Sequence, residues 1–514
     1  MESEPKEMKE MKYLIAYDLG TGGIKASLFT ENGDVIQDVF RQYPTYFPKD
    51  RYCEQRPEDW WNGVCAATRI LLEESGTDKK DIAAAALSGH SLVAVPLDGN
   101  GRELCSSVPI WCDARSFLQA ENFFKETDYD RWYLTTGNGD PPETYTLFKL
   151  IWMKEHQPEL FRQIRVVLGS KDYINYRLTG QICTDPSYAS GSGIFDLAAW
   201  DYRPEFADAA GVPFSIFPGI RPSDSTVGTV TREAAQATGL AEGTPVACGA
   251  VDNTCMSLGA RGLGEGSVYT SLGSSSWIAV TSRTPVLDIR THPFVFAHVR
   301  KGYYTSAVSI FSAGNSFRWI RDNLCRDYPP ETDVYEVMNK MAENIPAGSN
   351  GVLFNPTLAG GSAQEPSPYL AGGFMGLTLK NTREDLVRAS MEGIAMSLRH
   401  TLDILRSQIS VQGEMLLCGG GSKSPLWRRI FSDIYNMPVL KTNIDQNAAS
   451  LGASALAANA VGLWDGYCQI SSLHRQEELI YPDPENNKKY ERLLLIHKKW
   501  MQSLAELGDM MAKS

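Results

Sequence analysis

Several common signatures are missing from this chain of 514 residues. Its ten cysteines include no CxxC pair. That argues against a disulfide framework or a zinc site, and the expectation is reduced, buried thiols in a cytoplasmic protein. Seven histidines form neither HExxH nor His-x-His, so no histidine metal site is expected. No stretch approaches the roughly 18 uninterrupted apolar residues of a membrane helix. The N-terminal MESEPKEMKEMK is polar and charged, without the apolar core of a secretory signal. Basic charge is also scarce: 49 Lys and Arg against 61 Asp and Glu leave a net charge of −12. Neither nucleic acid nor a membrane is therefore an expected partner. Phosphate ligands stay open, because backbone N–H groups hold them without net charge.

What is present describes a soluble globular chain able to bury large cores, with 43% hydrophobic, 10% aromatic and 21% charged residues. At about 100–200 residues per domain, two to four domains are expected.

The first fifty residues carry the first functional signal. YLIAYDL at 13–19 is a short apolar run ending in Asp18, and Gly20-Thr21-Gly22-Gly23 follows. IKASLF then alternates apolar and polar residues, which reads as a half-buried strand. Asn32-Gly33 is a preferred tight-turn pair, and VIQDVF follows it. The order is strand, glycine turn, strand, hairpin, strand. A dinucleotide fold needs G-x-G-x-x-G running into a helix; here Lys25 occupies the third glycine position and a strand follows. The P-loop pattern GxxxxGK[ST] is absent. What remains is an aspartate at a strand end beside a turn whose N–H groups can cradle phosphate. Asp18 cannot face phosphate bare, but it can do so across Mg²⁺. The plain alternative is an ordinary glycine-rich hairpin with a surface carboxylate.

SVYTSLGSSSWIAVTS at 267–282 repeats the pattern, with Ser271-Leu272-Gly273-Ser274 at the place of Asp18-Leu19-Gly20-Thr21. The copies lie about half the chain apart, which suggests a duplicated domain; chance likeness of two hairpins is the alternative. The second copy lacks the aspartate, so only the first half would hold a metal. Upstream of it, an apolar strand from Pro245 to Ala250 delivers Asp252 and Asn253 to its end, ahead of a helix-like run from Thr254 to Ala260. Asp252 is placed for chemistry, for an N-cap, or for both. Gly419, Gly420 and Gly421 end another apolar strand, and Ser424-Pro425 read as an N-cap and first helical position. Trp427, Ile430, Phe431, Ile434 and Tyr435 then fall on one helix face, a pattern of core. The long helix predicted at 383–405 is read as structural for the same reason.

With these residues in view, the chain resembles the FGGY carbohydrate kinases of the sugar kinase, Hsp70 and actin superfamily. The resemblance covers nearly all of residues 13–465. Its anchors are DLGTGGIK at 18–25, IWCDAR at 110–115, TGNGDPPETYTLFKLIWMKEHQPELF at 136–161 and KDYINYRLTG at 171–180. GAVDN at 249–253, SLGSSS at 271–276, GGGSKSPLWRRIFSD at 419–433 and SLGASALAA at 450–458 complete them. Each is weak alone; their order and spacing make the likeness specific. The middle anchors are most similar to xylulokinases.

The resemblance implies an α/β fold of two ribonuclease-H-like domains with a catalytic cleft between them. It implies a sugar-binding domain with the first phosphate loop at 1–260, and a nucleotide-binding domain at 261–514. ATP and Mg²⁺ are the implied cofactors and a small sugar the implied partner. Family members are often dimers, so a homodimer is compatible with it. Asp252 would be the general base and Asp18 the metal-side carboxylate. Gly20, Thr21, Gly22 and Lys25 match one phosphate loop, Gly273, Ser274 and Ser275 the other, and Gly420, Gly421 and Ser424 the adenosine motif. Trp111, Asp113 and Asn253 match the sugar pocket, and Arg115 is expected to partner a carboxylate.

The chain departs from the pattern at His90-Ser91-Leu92. Xylulokinases carry a Met-His pair there that contacts the sugar, and Leu92 stands at the histidine's place. Leucine cannot hydrogen-bond a hydroxyl, and an unpaired polar group costs about 1–3 kcal/mol. Either His90 takes over or the substrate differs there; His90 bonded only to backbone is the plain alternative. The expected activity is transfer of the ATP γ-phosphate to a ketose, D-xylulose first. Another pentulose, a tetritol, an aldonate or a signalling sugar remains an alternative. A chaperone-like ATPase of the same superfamily is the alternative of another class. A catalytically dead sugar sensor is disfavoured by the retention of both Asp18 and Asp252.

Overall fold

The computed structural model describes residues 11–513, so the first ten residues of the polar N-terminal stretch lie outside the description. The chain forms two compact units. The first comprises residues up to 261 together with 296–302 and 447–473; the second comprises 262–295, 303–446 and the remainder from 474. The division is therefore not a single cut near residue 260, because residues 447–473 return to the first unit.

The first unit is built on a sheet led by β1 (Tyr13–Gly20), β2 (Gly23–Thr30) and β3 (Val35–Gln42). These three run antiparallel in sequence. On its other side β1 pairs in parallel with strand Ile82–Gly89, which pairs in parallel with Pro245–Ala247, which pairs antiparallel with Thr226–Thr229. Helices Pro57–Ser75 and Ala448–Ala460 pack against this sheet. The half-buried alternation expected of 24–29 is not found: β2 is buried along almost its whole length, whereas β3 buries only Val39. Alternation fails on a strand covered on both faces and survives only where one face meets water.

The apolar strand expected from Pro245 to Ala250 is broken. Pro245–Ala247 ends, and Ala250–Val251 pairs afresh with Ser88 and Gly89. Gly249 makes the break with φ +74°, and a Cβ there would lie 2.1 Å from the Leu87 carbonyl oxygen. Only glycine fits both conditions. Helix Asp252–Gly259 follows and crosses helix Ala448–Ala460 closely: a Cβ on Gly452 would lie 2.1 Å from the Cys255 carbonyl oxygen.

The second unit repeats the plan. From strand Tyr304–Ile310 the sheet runs through Ser276–Ser282, Ser267–Leu272, Met415–Cys418, Val439–Thr442 and Gln476–Ile480. The pairings are antiparallel, antiparallel, parallel, parallel and antiparallel. That is the order found from β3 across the first unit, so the duplication inferred from two hairpins extends to whole sheets. Helix Arg383–Arg406 supplies the core, with Val387, Met391, Ile394, Leu398 and Leu402 fully buried. Each such side chain contributes about 1.5–3 kcal/mol. A capping box of Thr382 and Asp385 starts the helix. Trp427, Ile430, Phe431, Ile434 and Tyr435 are buried on helix Pro425–Tyr435, as their spacing predicts. Among the described residues no helix is long and apolar enough to cross a membrane.

Candidate active site

In the first unit the chemistry collects at the ends of three neighbouring strands. Asp18 on β1 lies in register with Ser88, and Ser88 in register with Ala250, two residues before Asp252. The Ser88 hydroxyl donates to Asp18 Oδ1 at 2.9 Å. Burial raises the Asp18 carboxyl, against the opposing pull of Lys25 and Ser88. Asp252 is the first residue of its helix rather than its N-cap, which is Val251. Its Oδ1 accepts the Asn253 N–H at 2.7 Å. Burial pushes the Asp252 carboxyl up to about 7; the Asn253 N–H opposes this, and the Asp18 charge adds to it. A carboxylate poised near neutrality, beside a second one, suits proton acceptance. Asn253 Oδ1 is buried and has no hydrogen-bond partner, so it is left as an acceptor.

The turn between β1 and β2 consists of Thr21 and Gly22, with Gly20 opposite Gly23. Its atoms are tied down. Tyr43 donates to the Gly20 carbonyl at 2.5 Å, and Gln55 Nε2 to the Thr21 carbonyl at 2.7 Å. Trp111 Nε1 donates to Thr21 Oγ1 at 2.8 Å, although its ring is 43% exposed. Lys25 stands opposite Asp18 on β2, and its Nζ donates to Asn447 Oδ1 at 2.9 Å.

The expected sugar-side residues divide. Asp113 is fully buried and occupied. Arg115 grips both its oxygens at 2.8 and 2.7 Å, and the N–H groups of Cys53 and Arg115 take the remaining lone pairs at 2.7 and 3.2 Å. No lone pair is left for a hydroxyl, so Asp113 fastens the loop that carries Trp111. Arg115 also bonds Glu54, as a carboxylate partner should. His90 is buried and neutral, its ring pushed down to about 4 by burial. Its Nδ1 pairs with the Leu19 carbonyl at 3.2 Å, and it packs edge-on to Trp60. Backbone bonding thus accounts for one nitrogen, while Nε2 is buried without a partner. Ser91 is half-buried. Leu92 takes φ +61°, and its carbonyl accepts Lys149 Nζ at 2.5 Å.

The second unit holds a cavity of about 750 Å³. Gly273 and Ser274 from one predicted loop line it together with Gly420, Gly421 and Ser424 from the other; Ser275 does not. The 273–274 turn rests on 313–315, where Gly314 and Asn315 N–H groups donate to the Gly273 and Ser274 carbonyls, each at 2.9 Å. Ser424 is the N-cap, accepting the Trp427 N–H at 3.1 Å, and its hydroxyl donates to Asn339 Oδ1 at 2.6 Å. Phe317, Tyr335, Pro425 and Leu426 give apolar walls suited to a flat ring, and the charged lining is mixed: Arg318, Lys340 and Lys423 with Asp333, Glu336 and Glu343, Lys340 being paired to Glu336. The contribution of 314–343 went unread in the sequence. Tyr335 and Asn339, one helical turn apart on helix Val334–Glu343, were the available signal.

The family-model comparison decides the family. The FGGY carbohydrate kinase N-terminal domain model matches residues 13–259, and the C-terminal domain model matches 268–461. The chain belongs to the FGGY family of carbohydrate kinases. It is therefore an ATP-dependent sugar kinase. It is 31% identical over 492 residues to the xylulose kinase of Bacillus subtilis (strain 168), covering 95% of this chain and 96% of that one. It is 28% identical to the gluconokinase of the same organism, covering 94% of each. The crystal structure of xylulose kinase from Rhodospirillum rubrum superposes with a TM-score of 0.87 at 28% identity, over 97% of this chain and 100% of that one.

Proposed function

We propose that this FGGY kinase transfers the ATP γ-phosphate to a hydroxyl of a ketose, with D-xylulose the first candidate. The supporting observation is the carboxylate pair: Asp252, raised to about 7, beside the charge of Asp18. Asp252 takes the hydroxyl proton as that oxygen attacks the γ-phosphorus, the bond to the bridging oxygen breaks, and ADP leaves. Asn253 Oδ1 and His90 Nε2, both buried without a partner, are the acceptors this reading assigns to the sugar hydroxyls. Asp113, by contrast, is a positioning residue for Trp111. In this reading the 20–22 turn of the first unit serves as a phosphate loop, and the 273–274 turn with Gly420, Gly421 and Ser424 lines the nucleotide cavity of the second.

Among the described residues no three His, Cys, Asp or Glu side chains gather into a metal cage. Mg²⁺ held by one or two carboxylates plus substrate phosphates needs none, so Asp18 fits a metal that arrives with the nucleotide and Asp252 is left as the base. Bound there, Mg²⁺ would offset phosphate charge.

A second reading, an aldonate as acceptor, is favoured by the gluconokinase relative. The test is ADP release with D-xylulose, D-ribulose, D-gluconate or unfolded peptide added. Stimulation by D-xylulose is expected. Stimulation by D-gluconate alone would select the second reading, and stimulation by peptide alone would overturn both.

A further inference from the structure

Two thiols in the first unit meet in a way that sugar phosphorylation does not require. Cys53 immediately precedes strand Glu54–Gln55, and Cys112 follows Val108–Pro109; the two strands pair antiparallel, Glu54 opposite Pro109. The Ile110 N–H donates to the Cys53 carbonyl at 3.0 Å, and the Cys53 N–H to Asp113 Oδ2 at 2.7 Å. This backbone clamp sets the two sulfurs 2.7 Å apart as free thiols. Cys53 is buried and Cys112 half-buried, so Cys112 is the more accessible residue of the two.

The electrostatics separate their roles. The shared hydrogen bond lowers the Cys112 thiol and raises that of Cys53. Lys149 is buried, with Nζ on the Leu92 and Ile110 carbonyls at 2.5 and 2.7 Å; burial lowers its ammonium to about 7, and the charged form favours a thiolate at Cys112 against the opposing charge of Asp113. Thiolate character and access together select which cysteine reacts.

We propose that Cys112 and Cys53 form a dithiol modification site for hydroperoxides, Cys112 attacking and Cys53 resolving. The Cys112 thiolate attacks one peroxide oxygen, the O–O bond breaks, and the departing hydroxide leaves as water after taking a proton. The sulfenic acid is then attacked by the Cys53 sulfur; the S–S bond forms, the S–O bond breaks, and a second water leaves. Each sulfur loses one electron and the peroxide gains two. Because the clamp already fixes both backbones, the bond needs little chain movement.

The test is one equivalent of hydrogen peroxide on the fully reduced, full-length protein, followed by non-reducing peptide mass analysis. The expected product is a Cys53 peptide joined to a Cys112 peptide with two hydrogens lost, reversed by dithiothreitol. It should form at least about tenfold faster than oxidation of Cys105 or exposed Cys468. In Cys53→Ala a dimedone adduct should accumulate on Cys112. Should that variant not fold, the wild-type peptide map decides alone. Peroxide consumed elsewhere, with Cys53 and Cys112 both still alkylatable as free thiols, would overturn the proposal.

Discussion

The two strand–turn–strand openings share a sheet order and differ in what they carry. In the first unit the turn is two residues long, Gly20 facing Gly23, and Asp18 stands just before it. In the second the turn is three residues long, Leu272 facing Ser276, and Ser271 takes the aspartate's place. The first turn is held by side chains of Tyr43, Gln55 and Trp111. The second is held by backbone N–H groups and opens onto a cavity of about 750 Å³. The same scaffold thus carries a buried carboxylate before the turn in one copy and a cavity beside the turn in the other. Function lies in the side chains grafted onto the plan, not in the plan itself.

That contrast can be broken from either side. Asp252→Asn should lower kcat by about 100- to 10,000-fold, the range for losing a general base, while calorimetry still finds nucleotide binding within about twofold of wild type. Parallel loss of nucleotide binding would place Asp252 outside the proton-transfer role. Gly420→Val should do the reverse. Gly420 lines the cavity, and a Cβ there meets nothing within 4 Å, so the variant folds but fills ligand space. We expect KM for ATP to rise about tenfold with KM for the sugar unchanged, in steady-state assays varying each substrate. The smallest effect is expected at Leu92→His, a shift of about 1–3 kcal/mol in relative kcat/KM among sugars, measured across a panel. An unchanged ranking would mean that residue 92 does not face the substrate.

Much of this was legible in the chain, for identifiable reasons. Glycines at 20–23 and 419–421, the Ser424-Pro425 start and the Asn32-Gly33 turn act through local backbone physics, and local physics survives folding. The bonds that occupy Asp113 were not legible, because its Cys53 N–H partner lies 60 residues away in sequence. The break at Gly249 was invisible because the Leu87 carbonyl that forces it lies on another strand. The cavity wall at 314–343 offers little beyond the one-turn spacing of Tyr335 and Asn339, since apolar packing around a flat ring needs shape rather than particular residues. Strand Gln476–Ile480 and helix Pro484–Ala512 lie beyond the last family anchor, so no resemblance drew attention to them.

The central claim is that Asp252 is a base tuned by burial and by the charge of Asp18. The direct measurement is kcat/KM for the sugar against pH, in wild type and in Asp18→Asn. The base must be unprotonated, so activity should rise with pH through a midpoint near 7 in wild type. Removing the Asp18 charge favours ionisation, so the midpoint should fall in the variant, whatever its residual rate. A wild-type profile flat between about pH 5 and 8, or a midpoint unmoved by Asp18→Asn, would contradict the account.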